Sequence, residues 1–270
     1  ARGAMGQVKS CIVRDHRNRQ NDGNWPFDWD SVIGRAPGAR VMPYGVLGNN
    51  NLAKKVGAVA PEPGDDMVIL DPAGMHHIRG GPSNAHGAAG AIYAWLGINN
   101  DDYFPKSVIE AVTEPLKAKY HAYGDKHCIH VVGFDFRTRN VEKQEAIEIL
   151  TEAYGNALME FCVSGKKSLR LLPISGGIFS GYWGDSMAQF SEITAEALER
   201  AYFYMPPDRQ RIIDGANLEM CIYMMDQVPF FEKAFNGVDT TGKDPWGKPG
   251  CAAPLCLGRD YRRQQPAYAG

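Results

Sequence analysis

The thirteen residues from Leu169 to Gly181, LRLLPISGGIFSG, narrow most sharply what this chain can fold into. An apolar run of strand length ends at Pro173 and opens into a loop holding Gly176, Gly177 and Gly181. A long helical pattern, Ser186 to Tyr204, follows. Strand, loop and long helix in succession form the repeating unit of a layered α/β fold. In such sheets ligands bind outside the carboxyl ends of the strands. Glycines let the backbone approach a ligand closely, and successive N–H groups form a nest for an anion. This loop is therefore where a phosphate or diphosphate is first expected. Gly176 and Gly181 have P-loop spacing, but Tyr182 and Trp183 stand where a P-loop needs Lys and Ser/Thr. The G-x-G-x-x-G fingerprint is absent, and Pro173 occupies the position where a nucleophile elbow needs Gly.

The alternation continues along the chain. Met67–Leu70, Cys128–Val132, Ser168–Ile174 and Leu218–Met224 read as strands. Ala88–Leu96, Pro105–Tyr120, Val141–Cys162, Ser186–Tyr204 and Val228–Phe235 carry helical patterns, with Pro115 expected to kink or split the second. An α/β layer architecture over about residues 40–236 is the expectation, flanked by an N-terminal arm, 1–38, and a C-terminal extension, 237–270. The arm's Trp25–Trp29 cluster is read as packing onto the body, with a partner-binding motif as the alternative.

A second glycine cluster, Arg79 to Tyr93, follows the Met67–Leu70 strand and precedes a helix. One such loop is weak evidence, since helix N-termini commonly attract anions; two on one sheet can clamp one diphosphate. His76, His77 and His86 lie near this loop and are read either as ligand contacts or as solvated loop residues. His127-Cys128-Ile129-His130 resembles a metal cluster, but strand alternation places Cys128 and His130 on the face opposite His127. No metal and no cofactor is expected.

With 44% hydrophobic and 22% charged residues, the composition is that of a globular protein. A net charge of -2 gives no basis for general nucleic-acid binding. No apolar run approaches the roughly 18–20 residues that span a bilayer, and the first residues lack a secretory core. The six cysteines, Cys11, Cys128, Cys162, Cys221, Cys251 and Cys256, contain no C-x-x-C pair. An intracellular setting, cytoplasmic or nuclear, is expected.

Taken together, these loops resemble the macro domain family of ADP-ribose-binding proteins. Leu70-Asp71-Pro72-Ala73-Gly74 stands for the family's V-N-A-A-N, and Gly87-Ala88-Ala89-Gly90-Ala91-Ile92-Tyr93 for its G-V-D-G-A-I-H. Cys128-Ile129-His130-Val131-Val132-Gly133 is similar to V-I-H-x-V-G, and Ala153-Tyr154-Gly155-Asn156-Ala157-Leu158 to A-Y-x-N-x-L. Pro173-Ile174-Ser175-Gly176-Gly177-Ile178-Phe179 is similar to the second loop, P-A-I-S-T-G-I-Y-G, whose closing Gly falls one residue late at Gly181, after Ser180.

The resemblance implies a three-layer α/β/α sandwich with a mixed central sheet, over residues 39–236. It implies a site for ADP-ribose or an ADP-ribosylated macromolecule. Ser175, Gly176, Gly177, Ile178, Phe179 and Ser180 would hold the diphosphate and distal ribose, with Phe179 against the sugar. Gly87, Ala88, Ala89, Gly90, Ala91 and Ile92 would close the other side. Gly74 and Ala89 replace the Asn and Asp that orient ribose and water in hydrolytic members. Asp71 is a surrogate carboxylate, and Asp71 and His86 are the acid/base candidates. No residue clearly matches the family's adenine-recognising Asp; Val46 stands at the nearest position, and Asp65 or Asp66 is the substitute. Binding is favoured over the two other readings. These are an ADP-ribosyl hydrolase or ADP-ribose 1''-phosphate phosphatase, and a scaffold with a repurposed pocket.

Overall fold

A computed structural model describes residues 38–52 and 59–236. The N-terminal arm with its Trp25–Trp29 cluster and the C-terminal extension lie outside the described residues. Six strands form one mixed sheet in the order β1-β6-β5-β2-β4-β3. They are β1 (Arg40–Met42), β2 (Met67–Ala73), β3 (Ala118–Tyr123), β4 (Lys126–Val132), β5 (Ser168–Leu171) and β6 (Asn217–Cys221). All pair in parallel except β3, which runs antiparallel to β4 at the edge.

Strand alternation sorts the core into two faces. Val68 and Leu70 of β2, Ile129 and Val131 of β4, and Leu169 and Leu171 of β5 point to one side. There they meet α4 (Lys143–Ser164), α5 (Met187–Phe203), α6 (Pro207–Asp214) and α7 (Val228–Asn236). Ile69, Ala73, Cys128 and Val132 point to the other. They are covered by α1 (Met75–Gly80), α2 (Gly87–Leu96), α3 (Lys106–Ala111) and the Tyr44–Val46 segment. The result is the α/β/α layering expected from the sequence. Among the described residues no helix is long and apolar enough to cross a membrane.

The expected helix over Pro105–Tyr120 is corrected. α3 stops at Ala111, and Ala118–Tyr123 is the edge strand β3. Pro115 cannot donate and disfavours helical backbone at Glu114, and Leu116 then turns in the left-handed region, φ 71°. β3 pairs on one side only and is half-buried, so it lacks the apolar alternation that marks an inner strand. β1, α1 and α6, too short for a clear period, come in addition to the elements expected.

β5 also ends earlier than expected, at Leu171. The next residues stay buried because Tyr154 of α4 takes over from the ladder. Its hydroxyl donates to Leu172 O at 3.1 Å and accepts from Ile174 N–H at 3.0 Å. Burial raises the Tyr154 phenol above its ordinary value. Tyr154→Phe would strand both backbone groups, and a loss of about 1–3 kcal/mol of unfolding free energy is expected in urea titration.

Candidate functional site

The parallel register brings the carboxyl ends of β2, β4, β5 and β6 to one edge of the sheet. β2 and β5 are neighbours, yet the sheet continues from β2 toward β4 and from β5 toward β6. That reversal is a topological switch point, where the loops diverge and leave a crevice. An open cavity of about 430 Å³ involves both loops. The segment after β2 supplies His76, His77 and Gly80 from α1 and Gly81, Ser83, Asn84 and His86 from the loop that follows; the loop after β5 supplies Ile178.

Backbone conformation shapes both walls. Asn84 and Gly87 have φ of 62° and 63°, and Ser175 and Gly181 have φ of 61° and 54°. Gly81 has φ 96°, and a Cβ there would sit 2.1 Å from Asp102 O, so only glycine fits. In the second loop, Gly176 N–H donates to Pro173 O at 3.0 Å, and Ser180 donates to Gly177 O through N–H, at 3.0 Å, and Oγ, at 2.8 Å. The loop's base is tight: a Cβ on Gly133, just past β4, would lie 2.5 Å from Ser175 Oγ. Ser175 Oγ itself is buried and has no hydrogen-bond partner among the described residues.

The segment after β4 braces the second loop. Phe136 N–H donates to Phe179 O at 2.9 Å. The Arg137 guanidinium lies over the Phe179 ring, 4.9 Å from its centroid. Asp135 holds that guanidinium at two points, 2.8 Å from Nε and 2.7 Å from the terminal nitrogen. Hydrogen bonding to Arg137 lowers the Asp135 carboxyl below its usual range.

The sequence-derived candidates fall in different places. Ile178 and His86 line the cavity. Ser175, Gly176, Gly177, Phe179 and Ser180 make up the rest of the second loop, with Gly177 and Ile178 exposed. Gly87, Ala88, Ala89, Gly90, Ala91 and Ile92 form the first turns of α2 rather than a loop. Ala89 and Ile92 turn their side chains into the core. The wall facing Ile178 comes instead from residues 76–86. Gly80, Gly81, Ser83 and Asn84 lie outside the site residues that the resemblance implies, although the Gly-Gly-Pro-Ser-Asn run is itself a turn signal.

Asp71 is not at the cavity surface. It is fully buried on β2, on the face beneath α2, and its Oδ2 lies 2.7 Å from His130 Nδ1 on β4. His130 Nε2 lies 2.8 Å from the Tyr123 hydroxyl. Asp71 Oδ1 and the Tyr93 hydroxyl are buried without hydrogen bonds of regular geometry. Burial, and then the nearby Asp71, push the Tyr93 phenol far above its ordinary value. His127, on the opposite face as expected, bonds to the Tyr120 hydroxyl at 2.8 Å. On the adjoining strands β5 and β6, Arg170 and Glu219 form a buried pair at 2.9 Å. Val46 lies in the segment that this pair anchors, its carbonyl accepting from Arg170 at 3.1 Å. Asp65 and Asp66 precede β2, at the amino end of the strands and away from the loops.

No family model matches the chain, and no curated protein matches it. Among solved structures, an alphavirus P23pro-zbd aligns with 75% of this chain at 21% identity and TM-score 0.47. The chain spans only about a quarter of that protein's length, 24%. An Oceanobacillus iheyensis macrodomain with ADP aligns over 62% of this chain and 81% of its own, at 17% identity and TM-score 0.42. A Trypanosoma brucei macrodomain in complex with ADP-ribose aligns over 62% of each chain, at 15% identity and TM-score 0.41.

Proposed function

We propose that the chain binds ADP-ribose or a related ADP-ribosylated ligand, with the diphosphate and its attached ribose in the crevice between residues 76–86 and 175–181. The observation that carries this reading is that two glycine-rich loops, leaving neighbouring parallel strands at a switch point, wall one open cavity. Both loops hold left-handed backbone positions, the conformation from which anion-binding nests of amides are built. Phe179, beside the lining residue Ile178 and with Arg137 over one face of its ring, would turn the other face to a sugar. Three buried free thiols, Cys128, Cys162 and Cys221, fit a reducing, intracellular setting for such a ligand.

Binding is favoured over hydrolysis. A general base must lie within hydrogen-bond reach of its proton; of the two candidates Asp71 is sealed beneath α2 against His130, and His86 lines the crevice without the Asn and Asp side chains that Gly74 and Ala89 replace. Calorimetric titration with ADP-ribose is the direct test: a saturable isotherm is expected, and no heat at millimolar ligand refutes the proposal. Gly177→Val sharpens it. A Cβ on Gly177 meets nothing within 4 Å, so the fold has room for the side chain, whereas a ligand seated on this loop would meet it. Unchanged thermal unfolding together with an affinity loss of at least about tenfold, 1.4 kcal/mol, is expected. Unchanged affinity would place the ligand elsewhere.

A further inference from the structure

Among the described residues, the ionisable side chains lining the cavity are three imidazoles, His76, His77 and His86; the lining includes no carboxylate and no Lys or Arg. His76 and His77 sit side by side on α1 with ring centroids 3.8 Å apart. His86 comes from the far end of the same loop, immediately before α2. The groups acting on His77 come from each surrounding element. From β2, Asp71 attracts its proton, although that carboxylate is already engaged by His130. From α2, the Tyr93 ring meets it edge-on at 6.2 Å. From its own loop, His76 and His86 repel a positive charge on it. From the second loop comes only the uncharged Ile178. Burial, followed by the repulsion from His76, holds the His77 ring below its ordinary value.

We propose that the crevice is a proton-linked anion site, in which His76, His77 and His86 take up protons as a diphosphate or similar polyanion enters, so that such ligands are held more tightly as pH falls. This rests on the reading of the crevice as a diphosphate site and adds what the site selects. His76 and His86 disfavour a positive charge on His77, and an anion between the three rings would reverse that balance. Histidine is the side chain whose ordinary pKa lies within the physiological range, so small changes of field shift its charge there. The sign follows from linkage. A ring whose pKa is higher in the complex than in the free protein adds affinity that is fully present below the free-state pKa. That contribution is lost as pH rises through the bound-state pKa. Each proton taken up tilts affinity by about tenfold per pH unit between those limits.

The test is calorimetry on the full chain with two probes, ADP-ribose and inorganic pyrophosphate. It is run from about pH 5.5 to about pH 8 at fixed ionic strength, in buffers of different ionisation enthalpy. Affinity for both probes is expected to rise at least about tenfold from pH 7.5 to 6, with net proton uptake. His86→Gln and His76→Gln, both at exposed positions, should flatten the profile at its acid end. His86→Lys carries a fixed charge; it should bind at least as tightly as the natural chain at pH 8 and show a shallower pH dependence. ADP-ribose binding that is flat with pH and free of proton uptake overturns the inference and leaves the proposed function standing. Tightening of pyrophosphate alone, with no ADP-ribose binding at any pH, supports the proton linkage and overturns the ADP-ribose reading. Binding of neither probe overturns both.

Discussion

Replacing Asp71 with alanine is expected to lower the unfolding free energy by about 3–5 kcal/mol, the cost of breaking a buried pair by removing one partner. Asp71 and His130 both have 0% exposure, and the 2.7 Å contact between them crosses from β2 to β4 in the middle of the sheet. His130 is sealed from solvent: Tyr123 closes its other nitrogen, and Phe104 packs edge-on against its ring at 5.1 Å. Alanine therefore leaves an imidazole nitrogen unpaired and a void beneath α2. The measurement is the urea midpoint with an unchanged m-value. Asp71→Asn keeps the shape and an acceptor, so it should cost less and remain folded. Its ADP-ribose affinity should match that of the natural chain, because Asp71 does not line the crevice. Near-normal stability of Asp71→Ala together with lost binding would return Asp71 to the ligand site. Tyr123→Phe removes only the outer bond, and a loss of about 1 kcal/mol is expected.

The two faces of the sheet were legible in the sequence to different degrees, for physical reasons. α4 and α5 are long enough, at 22 and 17 residues, for their apolar period to stand out, so the α4–α5 layer is readable without coordinates. The other layer is built of short pieces, α1 and α3 with six residues each, and of the loop around Tyr44, none of which repeats a period. The second loop was legible because glycines and a proline interrupt a buried run. Its register against Gly133 was not, since that contact joins residues 42 positions apart and depends on β4 and β5 flanking β2. Asp71 shows the limit most plainly. Its place in a motif suggested chemistry, but whether a carboxylate faces a crevice or a core depends on what covers the strand. That cover is α2, whose buried Tyr93 supplies one wall of the Asp71 pocket. His76, His77 and His86 present the reverse case. Spacing alone left them as solvated loop residues or ligand contacts, and the fold brings all three onto one cavity.

The second large effect is expected on the adjoining strand pair β5–β6, where Glu219→Ala should also cost about 3–5 kcal/mol. Arg170 on β5 and Glu219 on β6 are paired residues in the register, and their side chains are 5% and 8% exposed. Arg170 donates from Nε to Glu219 at 2.9 Å and from a terminal nitrogen to Val46 O at 3.1 Å and Pro61 O at 3.0 Å. Its guanidinium also lies 5.0 Å from the centre of the Tyr44 ring, and the Tyr44 hydroxyl donates to Glu219 at 3.3 Å. One buried cation thus ties residues 44–46 and Pro61 down onto the sheet; burial, and then the Glu219 charge, raise the Tyr44 phenol. Removing Glu219 leaves that cation with two carbonyls and the Tyr44 ring, and no opposite charge. The pair need not be optimal for stability, because apolar side chains of similar volume often replace a buried ion pair at no loss. Arg170→Met with Glu219→Leu should therefore recover most of what Glu219→Ala loses, and the double-mutant cycle should show strong coupling. What the double variant cannot restore is the hold on Val46 and Pro61, so amide hydrogen exchange at residues 44–48 and 59–60 should be faster even at regained stability. Equal protection in the double variant would mean that packing of Tyr44 and Val46, rather than Arg170, fixes this wall of the sheet.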